Sequence, residues 1–136
     1  MTTNNPWDKV FFQSIVPDTS SPKAILLKYV ENFNNSQHRN PNIIAKVVTT
    51  SLGETQFKHA FYLTAASIQY TTLIFYVVNK LNDLYPATFH IPNATGDSFP
   101  MECKDNIELN KTIEDFITSA AIIKLVNGLI KTLGTT

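Results

Sequence analysis

Apolar residues follow a helical spacing near both ends of this chain and an alternating spacing between them. Ser21-Pro22 is typical of a helix start, because serine caps the first turn and proline suits the first helical position. The segment that follows ends at the turn-forming pair Asn40-Pro41. Its apolar residues recur at intervals of about three and four, which predicts a helix with one buried stripe. The stripe contains Ile25, Leu26, Tyr29, Val30 and Phe33.

From residue 43 to residue 91 the side chains alternate in character, which predicts β-strands. Leu52-Gly53-Glu54 provides a turn between the first two strands, and Pro86 suits the start of the last. The alternation over residues 99–103 is compatible with a short fifth strand. The predicted strands span residues 43–50, 57–64, 67–78 and 86–91.

The third predicted strand, residues 67–78, carries apolar side chains on both faces. A strand that is apolar on both sides needs a cover on each side. The predicted helices suffice for one face, so the other face is expected to meet a partner, a ligand or a second copy of the chain. Alternation assigns Leu73, Phe75 and Val77 to one face and Ile68, Tyr70, Ile74, Tyr76 and Val78 to the other.

The C-terminal part of the chain predicts two consecutive helices. Asp105 and Glu108 have the spacing of a capping box, and an apolar stripe begins at Leu109. Thr118-Ser119 interrupts the stripe and can cap a second segment. Gly134 follows the last periodic residue, as expected at a helix end.

This order of elements predicts the α+β class. Short connections favour antiparallel neighbours, so we expect a four- to five-stranded antiparallel meander. An N-terminal helix and the C-terminal helices are expected to pack mainly on one face of it. Residues 1–20 are predicted to form an N-terminal arm with an apolar, aromatic segment. Residues 21–134 are predicted to form a single α+β domain, as is usual for a chain of 136 residues.

The charge pattern argues against nucleic-acid binding. The chain has 11 basic and 11 acidic residues, a net charge of zero, and Arg39 as its one arginine. Nucleic-acid binding depends on clustered lysine and arginine, whereas the lysines here are scattered from Lys9 to Lys131. Abundant lysine, asparagine and isoleucine beside a single arginine is typical of an AT-rich genome, and we expect a bacterial source.

The compartment is inferred from cysteine content and from the lengths of the apolar runs. Cys103 is the single cysteine, so no disulfide can form within one chain, which favours a reducing compartment. No apolar run reaches the about 18 residues typical of a membrane span. The N-terminal apolar segment lacks the basic start and long apolar run of a signal peptide. We therefore expect a cytoplasmic protein with no membrane partner.

The three histidines do not predict a metal site. His38, His59 and His90 stand apart from one another and from the cysteine, whereas a metal needs several converging ligands. His59 is in strand phase with Phe57 and Phe61, so a hydrogen-bonded core histidine is favoured there. If the strands bring His59 and His90 together, these two are candidate ligand contacts.

No other pattern predicts catalysis. Cys103 is either a nucleophile or a small buried residue packed with Phe99 and Met101, and the second reading is favoured because no strong feature beside it lowers its pKa. The sequence has no glycine-rich phosphate loop and no nucleophile elbow. No catalytic, cofactor-binding or metal-binding residue is predicted, and a protein that is not an enzyme is favoured.

Tyrosines provide the candidate binding surface. Tyr62, Tyr70 and Tyr76, together with Ile74, are predicted to share one face of the sheet if a hairpin joins their strands. Tyrosine is enriched at interfaces because it is large, stiff and amphipathic. Two arrangements stay open. Either this aromatic face is free for a partner, or the C-terminal helix pair covers it while the first helix covers the opposite face.

Two functions from different classes follow from this pattern. The first is a non-enzymatic protein-interaction module that forms a homodimer, or binds a protein partner, through the apolar and aromatic sheet face. The alternative is a small-molecule-binding domain with an apolar pocket between helix and sheet, where His59 and Tyr62 supply polar contacts. A filled core and a flat face would favour the first, and a concave space between helix and sheet the second. A third and weaker idea, a toxin-neutralising or phage-related accessory protein, fits the small size but lacks the usual acidic surface.

Overall fold

A computed structural model describes residues 5–14, 19–92 and 100–134, which form four α-helices and five strands. Neighbouring strands pair in chain order and every pair is antiparallel, so the predicted α+β meander is confirmed, with five strands. The helices are α1 (Pro6–Ser14), α2 (Pro22–Asn34), α3 (Asn106–Ile117) and α4 (Ala120–Leu133). The strands are β1 (Ile44–Ser51), β2 (Gln56–Ala65), β3 (Tyr70–Lys80), β4 (Ala87–His90) and β5 (Met101–Cys103).

The helices begin at the capping residues that the sequence indicates. The Ser21 hydroxyl accepts a 3.2 Å hydrogen bond from the backbone N–H of Ala24, at the start of α2. The Asp105 carboxylate accepts one of 2.9 Å from the N–H of Glu108, at the start of α3. The Glu108 carboxylate in turn accepts from the N–H of Lys104, one residue before the cap. These bonds satisfy N–H groups that a helix start would otherwise leave unpaired.

The turn between β2 and β3 lies later than predicted. Ala66–Ile68 forms a single 3₁₀ turn, and Gln69 has a φ of 53°, in the left-handed region. The long strand therefore begins at Tyr70, and the prediction that it begins at Ser67 is wrong. Residues 66–69 form the turn that reverses the chain direction between two long strands. They therefore do not extend the strand, although their apolar and polar side chains alternate.

A β-bulge in β3 changes which side chains share a face. Phe61 of β2 pairs with Phe75, but the next residue, Tyr62, pairs with Leu73, so Ile74 is an additional residue in β3. An extra residue reverses the alternation on one side of the bulge. Ile74 and Phe75 are consequently both buried against the helices.

The bulge corrects the sequence-based assignment of faces. Tyr70 pairs with Ala65 and lines a depression beside α4 with Leu125, so it lies on the side of the helices, as does Ile74. Leu73 pairs with Tyr62 on the opposite side. The prediction that Tyr70 and Ile74 share a face with Tyr76 is therefore wrong, and so is the grouping of Leu73 with Phe75.

The helices α2, α3 and α4 cover one side of the sheet. Helix α2 packs on β1 and β2, α3 packs on β4 and β5, and α4 packs against α3. The core between these helices and the sheet contains a cluster of aromatic rings around Phe75. The centroid of the Phe75 ring lies 5.0 Å from that of Phe61 and 5.1 Å from that of Phe89. Since the three helices share this side, the arrangement with α2 and the C-terminal pair on opposite faces is wrong.

Helix α1 precedes this layer and presents aromatic side chains to solvent. Trp7 and Phe11 are 63% and 62% exposed, and their ring centroids lie 6.3 Å apart. The N-terminal arm that the sequence indicates is thus a short helix over the part of it that the structure describes.

Candidate functional site

The side of the sheet turned away from the helices, here called the outer face, carries no helix among the described residues. Its members are fixed by the strand register. Its apolar and aromatic side chains form a band across four strands, with lysine and histidine between them. The band consists of Ile44 and Val48 from β1, Ala60 and Tyr62 from β2, Leu73, Tyr76 and Val78 from β3, and His90 from β4.

Tyr76 is the centre of the outer face. Its ring stacks on that of His90 with centroids 4.5 Å apart and an angle of 7° between the planes. From the other neighbouring strand, the Lys58 ammonium lies 4.4 Å from the centre of the same ring. Ala60, directly opposite Tyr76 in the register, is only 3% exposed because larger side chains surround it. Tyr76 is therefore held in one orientation before any partner arrives, which lowers the entropy cost of binding.

The structure divides the predicted interface residues into two groups. Tyr62 and Tyr76 lie on the outer face, whereas Tyr70 and Ile74 lie on the helix side because of the bulge. Sequence reasoning missed the exposed contribution of β1, where Ile44 and Val48 alternate with the buried Ile43 and Ala45. That alternation was visible in the sequence and could have assigned them.

His59 lies in the core, as its strand phase predicts, at the centre of a chain of hydrogen bonds. It is 5% exposed. Its Nε2 lies 2.6 Å from Asn79 Oδ1, and its Nδ1 lies 2.9 Å from the Thr49 hydroxyl. The Asn79 amide nitrogen donates to the Lys80 carbonyl, so Oδ1 is the acceptor and His59 Nε2 carries the proton. The ring is thereby satisfied in its neutral form, with Thr49 donating to Nδ1.

Both histidines named as candidate ligand contacts have pKa values below the ordinary histidine value, and burial is the main cause in each. Burial lowers the pKa of His59, opposed by its bond to Asn79 and assisted by the charge of Lys23. Burial lowers the pKa of His90, assisted by the charge of Lys58. The two rings lie on opposite sides of the sheet with β3 between them, so they do not form a common ligand site.

The free energy of unfolding is expected to fall as the pH drops below about 6.5, the ordinary histidine pKa. Because folding lowers the pKa of His59, the unfolded chain binds this proton first, and the slope per proton is at most about 1.4 kcal/mol per pH unit. Urea unfolding between pH 7.5 and pH 5, as rough working limits, should show a shallower pH dependence in His59→Gln. The control is His38→Gln, at an exposed histidine, which should show the same pH dependence of the free energy of unfolding as the unchanged protein. If the unchanged protein, His59→Gln and His38→Gln all show the same pH dependence, the role given to His59 is wrong.

A concave space lies on the other side of the sheet, between the helices and strands β2 and β3. This space, the α2–α4 groove, has a volume of about 450 Å³. Its floor is the buried surface of Phe61, Leu63 and Ile74, and Phe33 of α2 faces Val126 of α4 across it. The core is thus not filled at this position, and the volume is within the roughly 300–1,000 Å³ typical of small-molecule sites.

The mouth of the α2–α4 groove is polar. The lining residues that reach solvent include Asn32, Glu114 and Thr118, and the Thr118 hydroxyl donates to the Glu114 carbonyl at 2.7 Å. Tyr29 lines the groove beside them, and its hydroxyl hydrogen-bonds the backbone and side-chain oxygens of Asn110 at 3.3 and 3.2 Å. Neither His59 nor His90 lines this groove.

Cys103 is a buried thiol between β5 and α3. Its Sγ lies 3.7 Å from the Thr112 hydroxyl and 3.8 Å from the Met101 carbonyl. Burial raises its pKa, with the carboxylates of Glu108 and Asp105 acting in the same direction, so the thiol is the stable form at neutral pH. This environment fits the buried apolar role. Phe99, the other neighbour that the sequence predicts besides Met101, lies outside the described residues.

The described ranges contain no arrangement typical of a metal site or of a single membrane-spanning helix. There, no group of three or more histidine, cysteine, aspartate or glutamate side chains has an arrangement that could hold a metal ion. Taken singly, none of the helices that the structure describes has the length and apolar character to cross a membrane. The α3–α4 pair meets that test only jointly, with a bend of 51° between the two.

Comparisons with known proteins were made at the level of family, sequence and structure. No protein-family model, characterised protein or solved structure matches this chain. The outer face and the α2–α4 groove are the two features of the described residues that indicate a function.

Proposed function

We propose that this protein is a non-enzymatic interaction module that associates with a second copy of itself through the outer face. The observation that carries the proposal is an apolar and aromatic sheet face that no described helix covers. Antiparallel sheets with one solvated face usually alternate apolar and polar side chains. Here the solvent side of β3 instead carries Leu73, Tyr76 and Val78 in succession.

The composition of the outer face supports association. Tyrosine anchors surrounded by smaller apolar side chains are typical of the residues that carry most of the binding energy in interfaces. The Lys58 side chain extends over Tyr76, so part of its length adds apolar contact area while its charge stays at the edge. A second copy is a suitable partner because one patch on each of two identical chains can form a closed two-fold interface.

Native mass spectrometry and sedimentation equilibrium of the untagged protein test this proposal. We expect a dimer that dissociates on dilution, with a Kd near or below about 1 μM, corresponding to about 8 kcal/mol of binding free energy. A monomer at all concentrations, with no second species up to high protein concentration, would contradict association with a second copy.

We also propose a cytoplasmic location. Its support is the single cysteine, Cys103, which is buried and cannot form a disulfide within the chain.

The α2–α4 groove favours a second function, the binding of a small molecule between helix and sheet. Its apolar floor and polar mouth have the composition of a ligand site, in which a few polar groups orient an otherwise apolar molecule. The groove and the outer face lie on opposite sides of the sheet, so the two functions are compatible in one protein.

A further inference from the structure

We propose that the α2–α4 groove binds an amphiphile whose apolar body lies on the sheet and whose head is a protonated amine beside Glu114. This inference rests on the second function proposed above, and it names the chemical class of the ligand. It is argued from the apolar depth of the groove, from the charge at its mouth and from the side chains that would oppose other head groups.

The inner part of the groove selects an apolar body. Phe61, Leu63 and Ile74 are buried, and the walls above them are formed by Phe33 and Val126. These three strand residues are apolar and provide no hydrogen-bonding side chain that could orient a sugar, a nucleotide or a peptide backbone. Covering the apolar area that the groove still exposes to water, chiefly on its half-buried walls, is favourable by about 25 cal/mol for each Å². A flexible aliphatic or compact aromatic body satisfies this surface.

The head group is selected by charge. Glu114 is the one charged side chain among the described residues that line the groove. No lysine, arginine or histidine in the described parts of the chain lies within ion-pair distance of its carboxylate. The carboxylate also affects the neighbouring tyrosine, because burial and then the charge of Glu114 raise the pKa of Tyr29. The carboxylate at the mouth therefore has no ion-pair partner among the described residues.

The same charge disfavours other ligands. A carboxylate or phosphate head would meet Glu114 with no described cation in the lining to offset the repulsion. The Lys28 ammonium, next to Tyr29 on α2, donates to the Asn110 side-chain oxygen at 2.9 Å and does not line the groove. A protonated amine, by contrast, can donate to the Glu114 carboxylate and to the amide oxygen of Asn32.

A matched series of eight-carbon amphiphiles tests the class of ligand. Octylamine and 1-octanol share one octyl body and differ in the head group alone, and octanoate carries a carboxylate on an alkyl body that is one carbon shorter. Titration at low ionic strength, followed by the methyl NMR signals of Ile74 and Val126, should show binding in the order amine, alcohol, carboxylate. Because Glu114 is exposed and its charge is screened, we expect the amine to bind about fivefold more tightly than the alcohol.

Two variants on α3 test whether the preference for the amine depends on the Glu114 carboxylate or on any negative charge on this helix. Glu114→Gln should remove the preference for the amine while leaving the binding of 1-octanol unchanged. Asp115→Asn removes a neighbouring carboxylate that lines a different depression, beside Phe89 and Met101, and should keep the preference.

The outcomes separate the ligand class from the site. If all three amphiphiles bind equally, or octanoate binds best, the assignment of a cationic head is wrong although the groove still takes an apolar body. If no member of the series shifts the Ile74 and Val126 signals, both the ligand class and the second proposed function are wrong. Preference for the amine that survives in Glu114→Gln would also overturn the role of this carboxylate.

Discussion

Replacing Tyr62 and Tyr76 together with glutamate is expected to convert the proposed dimer into a folded monomer. Both side chains lie on the outer face, and Tyr76 is at its centre between Lys58 and His90. Loss of a central aromatic anchor commonly costs about 2 kcal/mol or more of binding free energy, which is about a 30-fold increase in Kd for each residue. Burying two new carboxylates in a face-to-face contact adds a desolvation cost.

Sedimentation equilibrium gives the Kd of this variant, and circular dichroism reports whether it is folded. Tyr70→Glu is the matched control, because Tyr70 lies on the helix side in the same strand. It should leave the Kd unchanged. Since a glutamate at position 76 could pair with Lys58, Tyr76→Lys provides a second variant in which the new charge repels the old one. If the Tyr70 variant dissociates the dimer and the outer-face variants do not, the interface lies elsewhere.

Most of the fold could be predicted from short-range patterns. Ser21, Asp105 and Gly134 mark helix ends by local chemistry, and the structure has helix boundaries at these positions. Alternation over residues 43–50 and 57–64 is similarly local, because each side chain of a strand points to the side opposite that of its neighbour. These predictions required no knowledge of how distant parts of the chain meet.

The bulge at Ile74 could not be predicted because the residues around it do not alternate between apolar and polar side chains. Leu73, Ile74, Phe75 and Tyr76 are all apolar or aromatic, so the sequence is compatible with either phase of the strand. The phase is chosen by packing: Phe75 must lie between Phe61 and Phe89 in the core. One inserted residue then moves Tyr70 to the helix side, which is why two of the four predicted interface residues, Tyr70 and Ile74, are not on the outer face.

The sequence offers an apolar pocket between helix and sheet as an alternative, but the position and size of the α2–α4 groove could not be predicted, for a related reason. Its lining comes from α2, two strands, α3 and α4, and its volume depends on the angles between these elements. The periodicity of each helix indicates which side chains form its buried stripe. It does not indicate how closely the stripes of two helices approach each other. The core position of His59 follows from its strand phase. Its partner Asn79 lies one residue beyond the predicted end of the third strand and is instead the penultimate residue of β3.

Phe75→Ala is expected to have the largest effect on stability of any single substitution considered for this protein. The Phe75 side chain is 0% exposed, and its ring contacts Phe61, Phe89 and, edge-on at 6.1 Å, Phe116. Truncation of a buried phenylalanine costs about 3–5 kcal/mol through lost burial and the cavity left behind. Against a total of about 5–15 kcal/mol for a typical domain, this loss makes the folded state marginal.

Urea unfolding followed by circular dichroism measures this change, and Phe11→Ala is the control of the same residue type. Phe11 is largely exposed on α1, so its truncation should change the free energy of unfolding by less than about 0.5 kcal/mol. The four rings join β2, β3 and β4 to α3, so the loss should lower the stability of sheet and helix together in a single transition. A Phe75 variant as stable as the unchanged protein would mean that the bulge does not direct this ring into the core, and the assignment of Tyr62 and Tyr76 to the outer face, which depends on the same register, would fail with it.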